Sequence, residues 1–218
     1  SIIYINSHST RNINGSIMSD IFVDNIKHQS SQGSGTITIG ASGETIKAAS
    51  GAQNNIGIGG CQMFILNAAY GIVSADTNEL LTTWTDITNA SFGGAGGGKI
   101  ASLVSHSSGT FSFSETGVYR IDFHCYGYVA SATSRYCAGK IFSTTDNSTY
   151  AERASGYFSI SNLGTTSSSA DATYILDVTD TTNVKSRMYA IANNAAAVIN
   201  GSNTIGLSYV TFTRLGDT

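Results

Sequence analysis

From residue 61 onward, apolar and polar side chains alternate with a period of two in one segment after another, and the segments are separated by Gly, Ser, Asn and Asp. That period puts successive side chains on opposite faces of a strand. The clearest case sets Tyr119, Ile121, Phe123 and Cys125 on one face and Arg120, Asp122 and His124 on the other. Strands are predicted over residues 62–68, 80–85, 98–106, 109–114, 117–130, 135–144, 150–160, 170–178, 184–193 and 204–215. About ten strands at regular spacing with turn residues between them form the pattern of a sandwich or barrel. The last segment is apolar on both faces, Leu207 and Tyr209 on one and Val210 and Phe212 on the other. Such a strand is buried on both faces, which in a sandwich places it beneath a neighbouring subunit.

The first 60 residues are patterned differently. Residues 30–35 are a flexible Ser/Gly stretch. Residues 35–40 and 43–48 each alternate between glycines and read as short strands. Neither can bury a core alone, but several chains wrapped together would turn every Ile toward a shared axis. Residues 51–60 read as a hinge. The division expected is therefore an N-terminal anchoring arm and short β stem over 1–60 and a head over 61–218. Within the arm, Met18 opens a segment that resembles a natural protein start, and residues 1–17 read equally as an anchoring arm or as an extension of the reading frame.

Composition sharpens the fold class to all-β. Charged residues make up 11% of the chain, against roughly 25% in an average domain, so Ser, Thr, Asn and Gly must supply the polar surface. These residues favour strands and turns over helix interiors, as do eleven Tyr and nine Phe. Pro is absent, which leaves strand ladders uninterrupted. A net charge of -3 lacks the basic footprint of a nucleic-acid binder. No apolar run is long enough to span a bilayer, and residues 1–6 do not have the pattern of a signal peptide. Neither nucleic-acid binding nor membrane insertion is expected.

Candidate chemistry is sparse. Three cysteines, an odd number, argue against a disulfide framework. Cys125 and Cys137 lie symmetrically about Ser131, read as a hairpin tip, and would face each other across two strands as small buried hydrophobes or as a disulfide. Residues 93–99 fit part of a phosphate-binding loop, but Ile100 stands where Ser or Thr would hold Mg²⁺, so they read as a flexible loop. His106 reads as a surface or loop histidine, and His8, His28, His106 and His124 show no metal-ligand spacing. Asp177 and Asp180, with Asp171 nearby, are the best cation candidates, since Ca²⁺ wants several oxygen ligands; solvated turn carboxylates are the plainer reading. No other cofactor is expected. Asp76 and Glu79 are the nearest approach to a hydrolytic carboxylate pair, and no catalytic residue is assigned. Trp84, Tyr126, Tyr128, Tyr136, Tyr150 and Tyr157 exceed the needs of one core and could pack a subunit interface or stack on sugars.

The run Gly109-Thr110-Phe111-Ser112-Phe113-Ser114-Glu115-Thr116-Gly117-Val118-Tyr119-Arg120-Ile121-Asp122-Phe123 resembles the central hairpin of the C1q/TNF-like jelly roll. The ending, residues 206–215, resembles that family's final strand near the trimer axis. The resemblance covers roughly residues 61–218. It implies a trimeric jelly-roll β-sandwich with Phe111, Phe113, Tyr119, Phe123, Leu207, Tyr209 and Phe212 in core or trimer packing, and it adds weight to Ca²⁺ at Asp177 and Asp180. No collagen-like stalk precedes the head; residues 36–46 instead resemble repeats of tailed-phage fibre and virion proteins. Together these imply a non-enzymatic structural protein on a virion surface, either a fibre or knob or a capsid decoration. Its expected partners are its own copies in a homotrimer, other virion proteins through the N-terminal arm, and a host surface glycan or protein. The other reading is a secreted or cell-surface C1q-like binding module.

Overall fold

Strands form where the sequence alternates and stop where it supplies turn residues. The computed structural model describes residues 10–11, 17–18, 60–87, 99–130, 132–161, 165–216 and 218. The chain divides into two units, Ser1–Ala52 and Gln53–Thr218. In the first, β1 (Thr10–Arg11) and β2 (Ile17–Met18) pair antiparallel with Thr10 opposite Met18. The stem segments at 35–48 and most of the hinge at 51–60 lie outside the described residues.

The second unit contains β3 (Gly60–Leu66), β4 (Tyr70–Gly71), β5 (Glu79–Leu80), β6 (Trp84–Asp86), β7 (Val104–Ser107), β8 (Thr110–Phe113) and β9 (Gly117–Ala130). These are followed by β10 (Ser134–Thr144), β11 (Ala151–Ile160), β12 (Thr165–Val178), β13 (Lys185–Ala192), β14 (Ala197–Ile199) and β15 (Tyr209–Gly216). One sheet runs β6-β3-β15-β9-β12, with β14 and β4 extending it; the other runs β7-β8-β13-β10-β11, with β5 added beside β13. All pairings are antiparallel. From β8 on, the chain passes repeatedly between the sheets, and first and last long strands, β3 and β15, end up side by side. That is a double-sheet jelly roll, the architecture expected from the sequence.

The core lies between the two sheets and is dominated by rings. Phe111 sits among Phe212, Phe64 and Trp84, with centroid separations of 5.0, 5.2 and 5.8 Å, while Phe113 packs on Tyr119 at 4.7 Å. These tilted and edge-on pairs are the geometry the ring quadrupole favours. Two buried polar side chains, Gln62 and Ser208, bond backbone groups where the ladder breaks. Gln62 Oε1 accepts the backbone N–H groups of Leu103 and Val104, each at 2.8 Å, tying β3 to the opposite sheet. The Ser208 hydroxyl accepts Tyr126 N–H at 3.0 Å and donates to Tyr126 C=O at 3.2 Å. It thereby fills the gap where β14 ends and β15 begins along the same edge of β9.

Several expected elements are corrected. Residues 109–123 are not a hairpin: β8 pairs β7 and β13, whereas β9 pairs β12, β14 and β15, so the Gly117 turn carries the chain from one sheet to the other. The hairpin in this region is β7–β8. Its two-residue loop has positive φ at both Ser108 and Gly109 (47° and 83°), the twist-matched turn type that glycine supports. Cys125 and Cys137 likewise stand in facing sheets rather than across one hairpin, and both are free thiols buried in the core. Residues 80–85 split into β5 and β6, because Trp84 turns its ring into the core and donates its indole N–H to Leu81 C=O at 2.9 Å. Trp84 is therefore a core residue and not an exposed aromatic.

Candidate interaction surface

Strand parity decides which side chains leave the core. Tyr119, Ile121, Phe123 and Phe212 point inward and are at most 1% exposed, as is Phe111; Phe113 is 4% exposed. The opposite face of the same sheet carries Tyr209 on β15, then Arg120, Asp122, His124, Tyr126 and Tyr128 on β9, and Asp171, Thr173 and Ile175 on β12. Register sets these in rows: Tyr209, His124 and Asp171 form one, and Thr213, Arg120 and Ile175 another.

The rows are internally bonded. His124 Nδ1 lies 2.7 Å from Asp171 Oδ1, and its ring stacks on Tyr209 with centroids 5.0 Å apart and planes inclined by 21°. Thr173 donates to Asp122 Oδ1 at 2.7 Å, and Arg120 Nε donates to the same carboxylate at 3.0 Å. Around them Met63, Leu207, Tyr126 and Tyr128 are half-buried, while Ile175 and Leu215 are 49% and 43% exposed. β15 is thus buried on its inner face and only half-covered on its outer face within one chain.

Asp180 is committed to its own turn, accepting Thr182 N–H at 2.7 Å and Asn183 Nδ2 at 2.6 Å; these bonds hold its carboxyl below the usual range. Asp177 is exposed at the end of β12, opposite Val118, and Asp171 stands six positions back beside His124. Among the described residues, no group of three or more His, Cys, Asp or Glu could hold a metal ion. The carboxylates of the hydrolytic reading are also used structurally. Glu79 Oε1 caps Val73 and Ser74 N–H at 2.8 and 2.6 Å, while Asp76 accepts the Tyr136 hydroxyl and Asn193 Nδ2.

His106 is corrected from a surface or loop residue to a half-buried member of β7. Its ring packs on Phe111 at 4.9 Å, its Nε2 accepts the Gly109 N–H at 2.9 Å, and burial pushes its pKa down. It lines an open cleft of about 340 Å³ at the sandwich edge with Gln62, Phe64, Trp84, Asp86 and Lys99. In that cleft Lys99 pairs with Asp86. Sequence reasoning missed Gln62 and Ser208, whose roles come from register alone, and Lys140, which is buried on the outer face of the other sheet.

No family model matches the chain, and no curated protein sequence matches it. Among solved structures it is similar to murine APRIL, with a TM-score of 0.49 at 6% identity over 72% of this chain and 98% of that one. It is similar also to the Eiger TNF of S. frugiperda, with a TM-score of 0.48 at 14% identity over 72% and 93% of the two chains. The assignment of a jelly roll stands on strand order and register, not on these likenesses.

Proposed function

We propose that this chain is a non-catalytic binding module whose head packs as a homotrimer through the outer face of the β6-β3-β15-β9-β12 sheet, displayed on a virion surface. The observation that carries the proposal is the Tyr209–His124–Asp171 row with its apolar surround of Met63, Leu207, Ile175 and Leu215. Aromatic residues, Met and Arg are the types enriched at subunit interfaces. In a trimer the contacts are heterologous and close into a ring when each copy is turned by a third of a revolution, and each square ångström of apolar area covered contributes about 25 cal/mol. The virion setting rests on residues 36–46, which resemble repeats of phage fibre proteins.

Mass photometry tests the assembly: the expected particle has three times the 22.7 kDa chain mass. Ile175→Arg combined with Tyr209→Glu should give monomers with an unchanged circular dichroism spectrum. A wild-type monomer at micromolar concentration refutes the trimer. Gold-labelled antibody on purified particles tests the setting. Label on a tail or capsid supports it, and protein found only free in the medium favours the secreted C1q-like module.

A further inference from the structure

The opposite face of the sandwich carries a second concentration of rings. On β10, Cys137 and Ile141 point into the core, so Tyr136, Ala138, Lys140 and Phe142 point outward. The same parity turns Tyr157 on β11 and Arg187, Tyr189 and Ile191 on β13 outward. Register brings Tyr157 opposite Ala138, Tyr189 opposite Lys140, and Arg187 opposite Phe142. Ala138, Lys140 and Ile191 are 0%, 6% and 8% exposed although they point away from the core, which places the neighbouring rings over them. Tyr136 meets Tyr157 edge-on at 6.0 Å and Phe142 meets Tyr189 at a tilt at 4.5 Å, neither pair stacked. Tyr157 itself is 55% exposed. The seven residues from Tyr136 to Phe142 extend over about 20 Å at strand rise, longer than a single sugar ring.

The rings of Tyr136, Tyr157 and Tyr150 are each accompanied by a polar group fixed in place. The Tyr136 hydroxyl donates to Asp76, which Asn193 also holds. Lys140 Nζ, 5.7 Å from the centre of the Tyr157 ring, is bound to Glu152 Oε2 at 2.8 Å. The Arg187 guanidinium lies 3.8 Å over Tyr150, while its Nε donates to Thr110 Oγ1 at 3.0 Å. At the end of the stripe that holds Tyr136 and Tyr157, Lys140 is paired with Glu152, and Arg135, bonded to Asn193, acts on Asp76; at the other end Arg187 and Lys185 share an outward parity on β13 and add positive charge.

We propose that this stripe binds a neutral glycan chain. At the Tyr136–Tyr157 end the charges cancel, which offers nothing there to select a polyanion or a polycation. A protein partner would be anchored by a desolvated apolar centre, whereas here Tyr136 and Tyr157 have a fixed carboxylate or cation beside them. The complementary ligand presents C–H faces to rings and hydroxyls to polar side chains along its whole length, as linked pyranoses do. Pyranose rings lie on Tyr157, Tyr136 and Tyr189, and their hydroxyls reach Asp76, Asn193 and Glu152. The inference rests on reading the chain as a non-catalytic binding module but not on its trimeric state, because the stripe belongs to one chain and to the face opposite the proposed contact.

The test is isothermal titration of the full chain with cellohexaose, maltohexaose, mannohexaose and chitohexaose, alongside mass photometry of the same samples. The expected result is binding of at least one hexasaccharide, weakened about tenfold per site in both Tyr157→Ala and Tyr189→Ala and unchanged in Ile175→Arg on the other face. Tyr157 is exposed, so Tyr157→Ala is expected to keep the wild-type melting temperature and remains decisive should Tyr189→Ala unfold. Absence of binding to all four, or binding indifferent to Tyr157→Ala, overturns the proposal. A monomer that still binds sugar would refute the trimer alone, and a trimer that binds none would refute the glycan site alone.

Discussion

Gly139 lies where β10 crosses close to the facing sheet: a Cβ added there would sit 2.4 Å from Cys125 Cβ and 2.8 Å from a Phe123 ring carbon. No rotamer change relieves a Cβ–Cβ overlap, so the sheets must separate. Gly139→Ala should therefore lower stability by about 1–3 kcal/mol, read as a lower urea midpoint with an unchanged slope. Turn carboxylates act by another route. Asp146 accepts Thr144 Oγ1 and the N–H groups of Ser148 and Thr149 at 2.6, 2.9 and 2.7 Å, and these bonds hold its carboxyl far below the usual range. A folded-state value below the unfolded one makes a stabilising contribution that is complete above about pH 5. It is lost as the pH falls through about 3.9 toward the depressed value. The melting temperature should accordingly fall between pH 6 and pH 3, and Asp146→Asn should show a smaller fall than the wild type.

Among the elements, β15 carries the most consequence, because it lies between β9 and β3 and joins the two ends of the head. Its Phe212 is fully buried and touches Phe64, Phe111 and Phe113. Phe212→Ala should cost about 3–5 kcal/mol, measured by denaturant unfolding. How far such elements can be read from sequence depends on what defines them. β9 and β10 alternate over many residues, and their extents follow from the pattern. β4 and β14 are two and three residues long, too short to show a period, and exist because β9 outruns β15 and leaves an edge to fill. The sheet to which a strand belongs is not carried by alternation at all: β8 and β9 read as a hairpin because both alternate and a Gly turn separates them. Cys125 and Cys137 were misplaced for the same reason. The inward residues Phe111, Phe113, Tyr119 and Phe123 were legible from parity. The Lys140–Glu152–Tyr157 grouping was not, since it depends on the β10–β11 register and its shift between Ile141 and Phe142.

At the scale of the whole molecule, the head has two outer faces of different character, one proposed for its own copies and one for sugar. Among the described residues, every member of the hydrophobic cluster, from Phe64 to Phe212, lies in the second unit, and so do both faces. A chain beginning at Gln53 therefore retains this cluster, the β3–β15 junction that closes it, and all side chains of the Tyr209–His124–Asp171 row. Burial of the core, rather than any contribution from upstream residues, should set its stability. The expected outcome is that the Gln53–Thr218 fragment melts cooperatively at the temperature of the full chain's head transition and sediments as the same oligomer. An unfolded fragment would show that the first 52 residues complete the core. A folded but monomeric fragment would move the self-association from the sheet face to the N-terminal unit, which would leave the row at Tyr209 without the role proposed for it.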